Sequence, residues 1–325
     1  MTHITQLQRY AIFCMLKQGY KQIEIAVAIG KDKTVVRKEI KRNSDKRNGV
    51  YKHELAQKKY AKRQKEKPKQ KRFTKNIQQA IELLLRDDYS PEQVVGYLEK
   101  QDEKTVSIER IYQHIWQDKK NHGDLHTHLR RQGRRYRKRG ASKDSRGVIR
   151  NRVSIDERPA IVEKRARFGD IEVDLIIGKN HNQAILTIND RASGMLKMKK
   201  IPSKQASVVT EAITTLLEDW KPYLHTITAD NGKEFAGHQE VAESLSIDYF
   251  FAHPYHSWER GSNENLNGLI RQYFTKGSDF TNITEQRVKE VETKLNNRPR
   301  KRYKYQNPIF VMEQLLFNQK VAFVT

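Results

Sequence analysis

Two acidic residues, Asp230 and Glu264, stand in settings suited to holding a cation rather than to facing solvent. Asp230 closes the alternation His225-Thr-Ile-Thr-Ala-Asp230, in which Ile227 and Ala229 face one way and Thr226, Thr228 and Asp230 the other, as a half-buried strand requires. Asn231-Gly232 then stops the strand. Thirty-three residues intervene before Glu264, which falls one turn into a helix predicted to open at Ser262 and to run through Leu266, Leu269, Ile270 and Tyr273. At about 100° per residue those four apolar side chains share one face, while Glu264, Asn267, Gly268 and Arg271 share the opposite one. A third acid lies upstream in Phe168-Gly-Asp-Ile-Glu-Val-Asp-Leu-Ile-Ile-Gly178, where Asp174 sits in mid-strand and Asp170, Glu172 and nearby Asp190 are its rivals. An Asp in mid-strand, an Asp at another strand's end and a helix-borne Glu are the parts of a site for two Mg²⁺ roughly 3.5 to 4 Å apart, suited to in-line phosphoryl transfer. Mg²⁺ takes few carboxylates and keeps positions for water and phosphate oxygens.

Thr228-Ala-Asp230-Asn-Gly, His253-Pro-Tyr-His-Ser-Trp-Glu-Arg-Gly261 and Asn263-Glu-Asn-Leu-Asn-Gly-Leu-Ile-Arg271, following Asp174 in that order, resemble the DDE transposases of bacterial insertion sequences, specifically the IS-thirty family. The resemblance is close over roughly 152–317 and extends in layout to the N-terminal part. It implies a ribonuclease-H-like catalytic core of the retroviral-integrase kind. Asp174, Asp230 and Glu264 are then the catalytic triad and the ligands of two Mg²⁺, with Mn²⁺ as a substitute. It further implies binding and cutting of the element's terminal inverted repeats, joining to target DNA, and an assembly of at least a dimer. Ile171 and Val173 stand where the family would carry Trp and Gly. Arg271 resembles the basic residue that many DDE enzymes place two turns beyond the Glu for the DNA end, and Arg260, one turn before it, is a candidate for the same role; either is alternatively a helix salt-bridge partner.

The elements that must position these groups follow from the whole chain. Its 325 residues allow two or three domains, and 36% hydrophobic content is enough for their cores. The net charge is +24, and residues 1–150 hold 38 Lys and Arg against 17 Asp and Glu, leaving 25 against 22 for the rest. An excess of that sign collects phosphates through counterion release, which makes the first half the DNA-handling half. No apolar run approaches the ~20 residues of a membrane span, and no secretory signal is evident. The expected location is the bacterial cytoplasm, at the nucleoid. The single Cys14 excludes an internal disulfide and is expected on the apolar face of a helix.

Helices are expected at 5–18, with Leu7, Ala11, Cys14 and Met15 inward, at 21–29 and at 33–43, making residues 1–50 a helix-turn-helix domain. The last helix buries Val36 and Ile40 and exposes Lys33, Arg37, Lys38, Lys41 and Arg42 to DNA. Residues 51–72 read as a basic, exposed helical linker. A second helical domain, helix-turn-helix-like or a connector bundle, is expected over 73–128, opened by Ser90-Pro-Glu-Gln93 and closed by a helix that buries Ile108, Ile111 and Ile115 and exposes Arg110. Residues 129–151 form a basic linker whose Arg134, Arg135 and Arg137 are candidates for DNA phosphates or a narrow minor groove, or for a solvated tail. From 152 to 325 strands at 170–178, 183–190 and 194–201, a helix from Ser203, the strand to Asp230, a helix near 238–245 and a strand near 247–252 predict a mixed α/β domain with one central sheet and C-terminal helices. His253, His256 and Trp258 are candidates for contact with DNA or for structural roles, and Arg298-Pro-Arg-Lys-Arg-Tyr-Lys-Tyr305 for a DNA-contacting loop or a solvated face.

The reading is a Mg²⁺-dependent DNA transposase. Its rivals are a helix-turn-helix regulator without catalysis and a ribonuclease-H-like nuclease that cleaves without joining.

Overall fold

The computed structural model of the chain describes residues 3–66, 73–130, 149–179, 183–254 and 256–322, in two units, Met1–Arg72 and Phe73–Thr325. In the first, α1 (Gln6–Lys17) opens on a capping box between Thr5 and Gln8, and α2 (Gln22–Ala28) and α3 (Lys33–Asn43) follow, the last capped by Asp32. Ile12, Ile25, Val36, Tyr51 and Ala56 form their core.

The inward face of α1 differs from the sequence expectation. Leu7 is 81% exposed and Cys14 only half-buried, whereas Arg9 and Ile12 are buried. Arg9 takes a core position because its charge is matched there: Nε donates to Glu39 Oε1 at 2.8 Å, Nη1 to Gln57 Oε1 at 2.9 Å, and the guanidinium lies 4.3 Å over the Tyr60 ring. The segment expected to be a basic, exposed helical linker is helical over α4 (His53–Glu66), but this helix packs on the first helices. Ala56 is fully buried, Lys59 Nζ donates to Ser44 O at 2.6 Å and Arg63 Nη2 to Asn43 Oδ1 at 2.6 Å. A contact made of one alanine, the rings of His53 and Tyr60 and polar groups leaves little apolar periodicity to read.

In the second unit α5 (Lys75–Arg86), α6 (Pro91–Lys100) and α7 (Ile108–Lys120) surround Ile81, Leu85, Val94, Leu98, Ile111 and Ile115. Ile108, expected inside, is 37% exposed, since it opens its helix outside the layer formed by Ile111 and Ile115. This helical module shares its unit with the sheet. Gln93 Nε2 donates to Pro299 O at 2.7 Å, Lys301 pairs with Glu92 at 2.6 Å, and Asp88 accepts from Tyr273 Oη at 2.9 Å and Lys294 Nζ at 3.2 Å.

The sheet has six strands, β1 (Val153–Ser154), β2 (Asp170–Ile177), β3 (Ala184–Asp190), β4 (Leu196–Ile201), β5 (Thr226–Ala229) and β6 (Asp248–Phe251), in the order β1-β6-β5-β2-β3-β4. The meander β2-β3-β4 is antiparallel, and β5 and β6 join it in parallel. This is the mixed, ribonuclease-H-like α/β arrangement. After the one-turn α8 (Ile161–Lys164), α9 (Ala206–Leu217) and α10 (His238–Leu245) cover one face through Val209, Ile213, Val241 and Leu245. The other face is covered by α11 (Gly261–Ile270) and α12 (Glu285–Asn297), whose Leu266, Leu269, Ile270, Val288, Val291 and Leu295 pack on Ile176, Ile185, Leu196 and Met198. Residues of α13 (Pro308–Ala322) lie against the first of these cores. Cover on both faces makes every residue of β5 buried, where one solvated face was expected. Ile171 and Val173 are both fully buried in the sheet. Among the described residues no helix is long and apolar enough to cross a membrane.

Candidate active site

Parallel pairing sets Glu172 of β2 opposite Thr228 of β5, so two residues further on Asp174, still within β2, and Asp230, just past the end of β5, come near each other. Between them reaches Arg260, from the short 3-10 turn Ser257–Arg260 that leads into α11. Its Nη2 lies 3.5 Å from Asp230 Oδ2 and its Nη1 3.9 Å from Asp174 Oδ2, and Nη1 donates to Val173 O at 3.1 Å. Asp174 is held further by Asn267 of α11, whose Nδ2 donates to Oδ2 at 2.7 Å, and by Leu175 N, which donates to Oδ1 at 2.9 Å. Burial pushes the Asp174 carboxyl above the usual carboxylate range, Asp230 adds to the rise, and Arg260 opposes it. Asp230 Oδ1 accepts from Gly232 N at 2.9 Å, which turns the chain sharply at the strand's end.

Glu264 stands apart from this pair. It is exposed on α11 and lines an open cleft of about 940 Å³ together with Asp174, Arg260, Asn267 and Arg271. Among the described residues no three His, Cys, Asp or Glu side chains are close enough to hold a metal ion together. The structure therefore brings two of the three expected acids to one guanidinium and places the third on a cleft that it shares with one of them, Asp174.

The rival acids are tied up elsewhere. Asp170 receives Arg167 through two bonds of 2.9 and 3.0 Å and Thr226 Oγ1 at 2.9 Å. Glu172, fully buried, is paired with Arg191. Asp190 accepts from Gly169 N, Ser193 N and Ser193 Oγ at 2.8, 2.7 and 2.6 Å, and burial pushes its carboxyl up to about 6. Asn267 was not singled out as a ligand-positioning residue, although its place on the Glu264 face of the helix was the available signal.

The expected DNA-binding residues are distributed along the chain. Lys33, Arg37, Lys38, Lys41 and Arg42 are exposed on α3. Arg110 lies 4.9 Å over the Phe73 ring. Arg271 turns back on the end of α11, donating to Phe274 O and Thr275 O at 3.4 Å and to Ile177 O at 3.3 Å. Arg134, Arg135 and Arg137 lie outside the described residues, as does the side chain of Trp258. His253 is a structural clasp, with Nδ1 at 2.8 Å from Glu259 Oε1 and Nε2 at 2.9 Å from Asp156 Oδ2; these carboxylates hold its pKa above the usual value.

No family model matches the chain. It is 51% identical over 99% of its length, and 99% of the relative's, to the transposase for insertion sequence element IS4351 of Bacteroides fragilis. It is 32% identical over 97% of its length, and 84% of the relative's, to the transposase InsI for insertion sequence element IS30A of Escherichia coli K12. A solved simian T-cell lymphotropic virus intasome in complex with the PP2A regulatory subunit B56 gamma is similar over 45% of this chain and 54% of that one, at 17% identity and a TM-score of 0.38. The chain belongs to the IS-thirty family of insertion-sequence transposases. Its activity is accordingly that of a DNA transposase.

Proposed function

We propose that Asp174, Asp230 and Glu264 are the catalytic acids of this transposase and that they hold Mg²⁺, replaceable by Mn²⁺, during cleavage and joining of DNA strands at the ends of its element. The observation that carries this is the Asp174–Asp230 pair with a cationic guanidinium between the carboxylates. The donor set fits the ion: two hard oxygen ligands, one within β2 and one at the end of β5, the first of them half-buried and lining an open cleft. Glu264, on the same cleft as Asp174, would complete the set. When bound, Mg²⁺ supplies charge stabilisation for the phosphoryl oxygens of an in-line displacement.

The chain's own groups do the rest. With those acids holding an ion, Arg260 would be free to turn its fork toward a DNA phosphate. Asn267 keeps Asp174 oriented, and Arg271 fixes α11 to the end of β2 so that Glu264 approaches from a constant side. The exposed basic face of α3 binds the terminal inverted repeats, and joining paired ends to target DNA takes at least a dimer working at the nucleoid.

The test is metal-dependent cleavage and joining of labelled element-end DNA by wild type and Asp230→Ala. Loss of both steps in the variant is expected. Persistence of both overturns the site assignment, cleavage without joining by the wild type marks a nuclease, and DNA binding with neither step marks a regulator.

A further inference from the structure

A second cleft, of about 530 Å³, lies between the start of α6, the flank of α11 and the segment that follows α12. Its walls carry Arg130, Arg298, Arg300, Lys301 and Arg302, and its acids Asp88 and Glu92 are already engaged, Asp88 by His128, Tyr273 and Lys294 and Glu92 by Lys301. Arg298, Arg300 and Arg302 have no carboxylate partner among the described residues. Arg298 is 2% exposed, donates to Gln272 Oε1 at 3.2 Å and to Tyr273 Oη, and leaves its buried Nε without an acceptor. Arg300 Nη2 donates to Leu295 O at 2.8 Å, and Arg302 Nη2 to Arg191 O at 3.2 Å. All of these acceptors are neutral. Burial and then the neighbouring Arg298 and Arg302 push Arg300 down to about 9, so it stays charged at neutral pH but poorly compensated.

Crowded guanidinium groups held only by neutral acceptors are costly unless an anion joins them. The cleft meets the acid-lined one: Arg130, Gly261 and Asn265 line both. Arg130 lies along α11 at this junction, donating to Asn265 Oδ1 at 3.0 Å and Asn265 O at 3.2 Å. Gly268 makes that approach possible, since a Cβ there would come 1.9 Å from Arg130 Nη2.

We propose that this cleft seats the phosphodiester backbone of a DNA strand, with consecutive phosphates on Arg298, Arg300 and Arg302, and hands the strand across Arg130 to the Asp174–Asp230 pair. The forked guanidinium matches phosphate oxygens two at a time. The seat depends on DNA being the substrate but not on the metal assignment, so its test is run without divalent ions.

Full-length wild type, Arg302→Gln and Arg302→Lys are titrated with labelled element-end duplex in EDTA across a range of salt. Arg302→Gln is expected to bind several-fold more weakly and to lose about one unit from the slope of log affinity against log salt, and Arg302→Lys to keep the slope. A folded Arg302→Gln with wild-type affinity and slope overturns the proposal. A second measurement needs no variant: phenylglyoxal labelling of the wild-type arginines, mapped by mass spectrometry. Protection of Arg300 and Arg302 by DNA supports the seat, and equal labelling with and without DNA overturns it.

Discussion

The Arg260 guanidinium lies 3.5 Å from the Asp230 carboxylate, bridging the acids that β2 and β5 bring together. It serves as the counter-ion of the two carboxylates. Arg260→Gln removes that cation and a hydrogen bond to Val173 O, and is expected to cost about 1–2 kcal/mol in EDTA. Because a divalent ion then relieves unopposed repulsion, Mg²⁺ should raise the melting temperature of Arg260→Gln by more than it raises that of wild type. An equal rise in the two proteins contradicts the counter-ion role.

The neighbouring acids of β2 separate by stability. Glu172 is fully buried against Arg191, so Glu172→Gln leaves that buried guanidinium with the exposed Glu163 as its one carboxylate partner among the described residues and is expected to cost about 1–3 kcal/mol in urea unfolding. Asp174 is half-buried beside another acid and its charged form is disfavoured, so Asp174→Asn is expected to hold or raise stability while abolishing strand cleavage. A large loss of stability in Asp174→Asn would give it a structural role instead.

Asp88 fastens the helical module to α11 and α12. Burial alone would raise its pKa, but His128, Tyr273 and Lys294 hold it below the ordinary value. A depressed folded pKa contributes stability that is present above the unfolded value of 3.8 and lost as pH falls through the folded one. Asp88→Asn should therefore cost about 1.5–3 kcal/mol at neutral pH, and the deficit should shrink below pH 3.8. A deficit independent of pH contradicts the ionic clasp.

The exposed basic face of α3 predicts a different signature. Replacing Arg37 and Lys41 together by Gln should leave stability unchanged within about 0.5 kcal/mol. It should also remove about two units from the salt slope of DNA binding, as loss of two phosphate contacts requires. An unchanged slope would place the DNA elsewhere.

The pattern of these effects reflects what the chain discloses and conceals. Alternation in 170–177 makes the strand that carries Asp174 legible, and the Ser90–Gln93 box marks the start of α6. Positions set by polar contacts were not legible. Arg9 displaced Leu7 from the core because Glu39, 30 residues away, met its charge, and α4 docked through Lys59 and Arg63 rather than an apolar stripe. Asp174 and Asp230 were readable as a strand pair. The intrusion of Arg260 between them, and the distance of Glu264 from them, depend on how the turn before α11 is clasped by His253 and Glu259.

The central claim is that three acids share the catalytic cations. Its most direct test is anomalous scattering from crystals of the protein with element-end DNA grown in Mn²⁺. Anomalous peaks coordinated by Asp174 and Asp230, with Glu264 moved in as a third ligand and Arg260 turned toward a phosphate, are the predicted result. Bound DNA with Arg260 still between the two acids and no anomalous density beside them would contradict it.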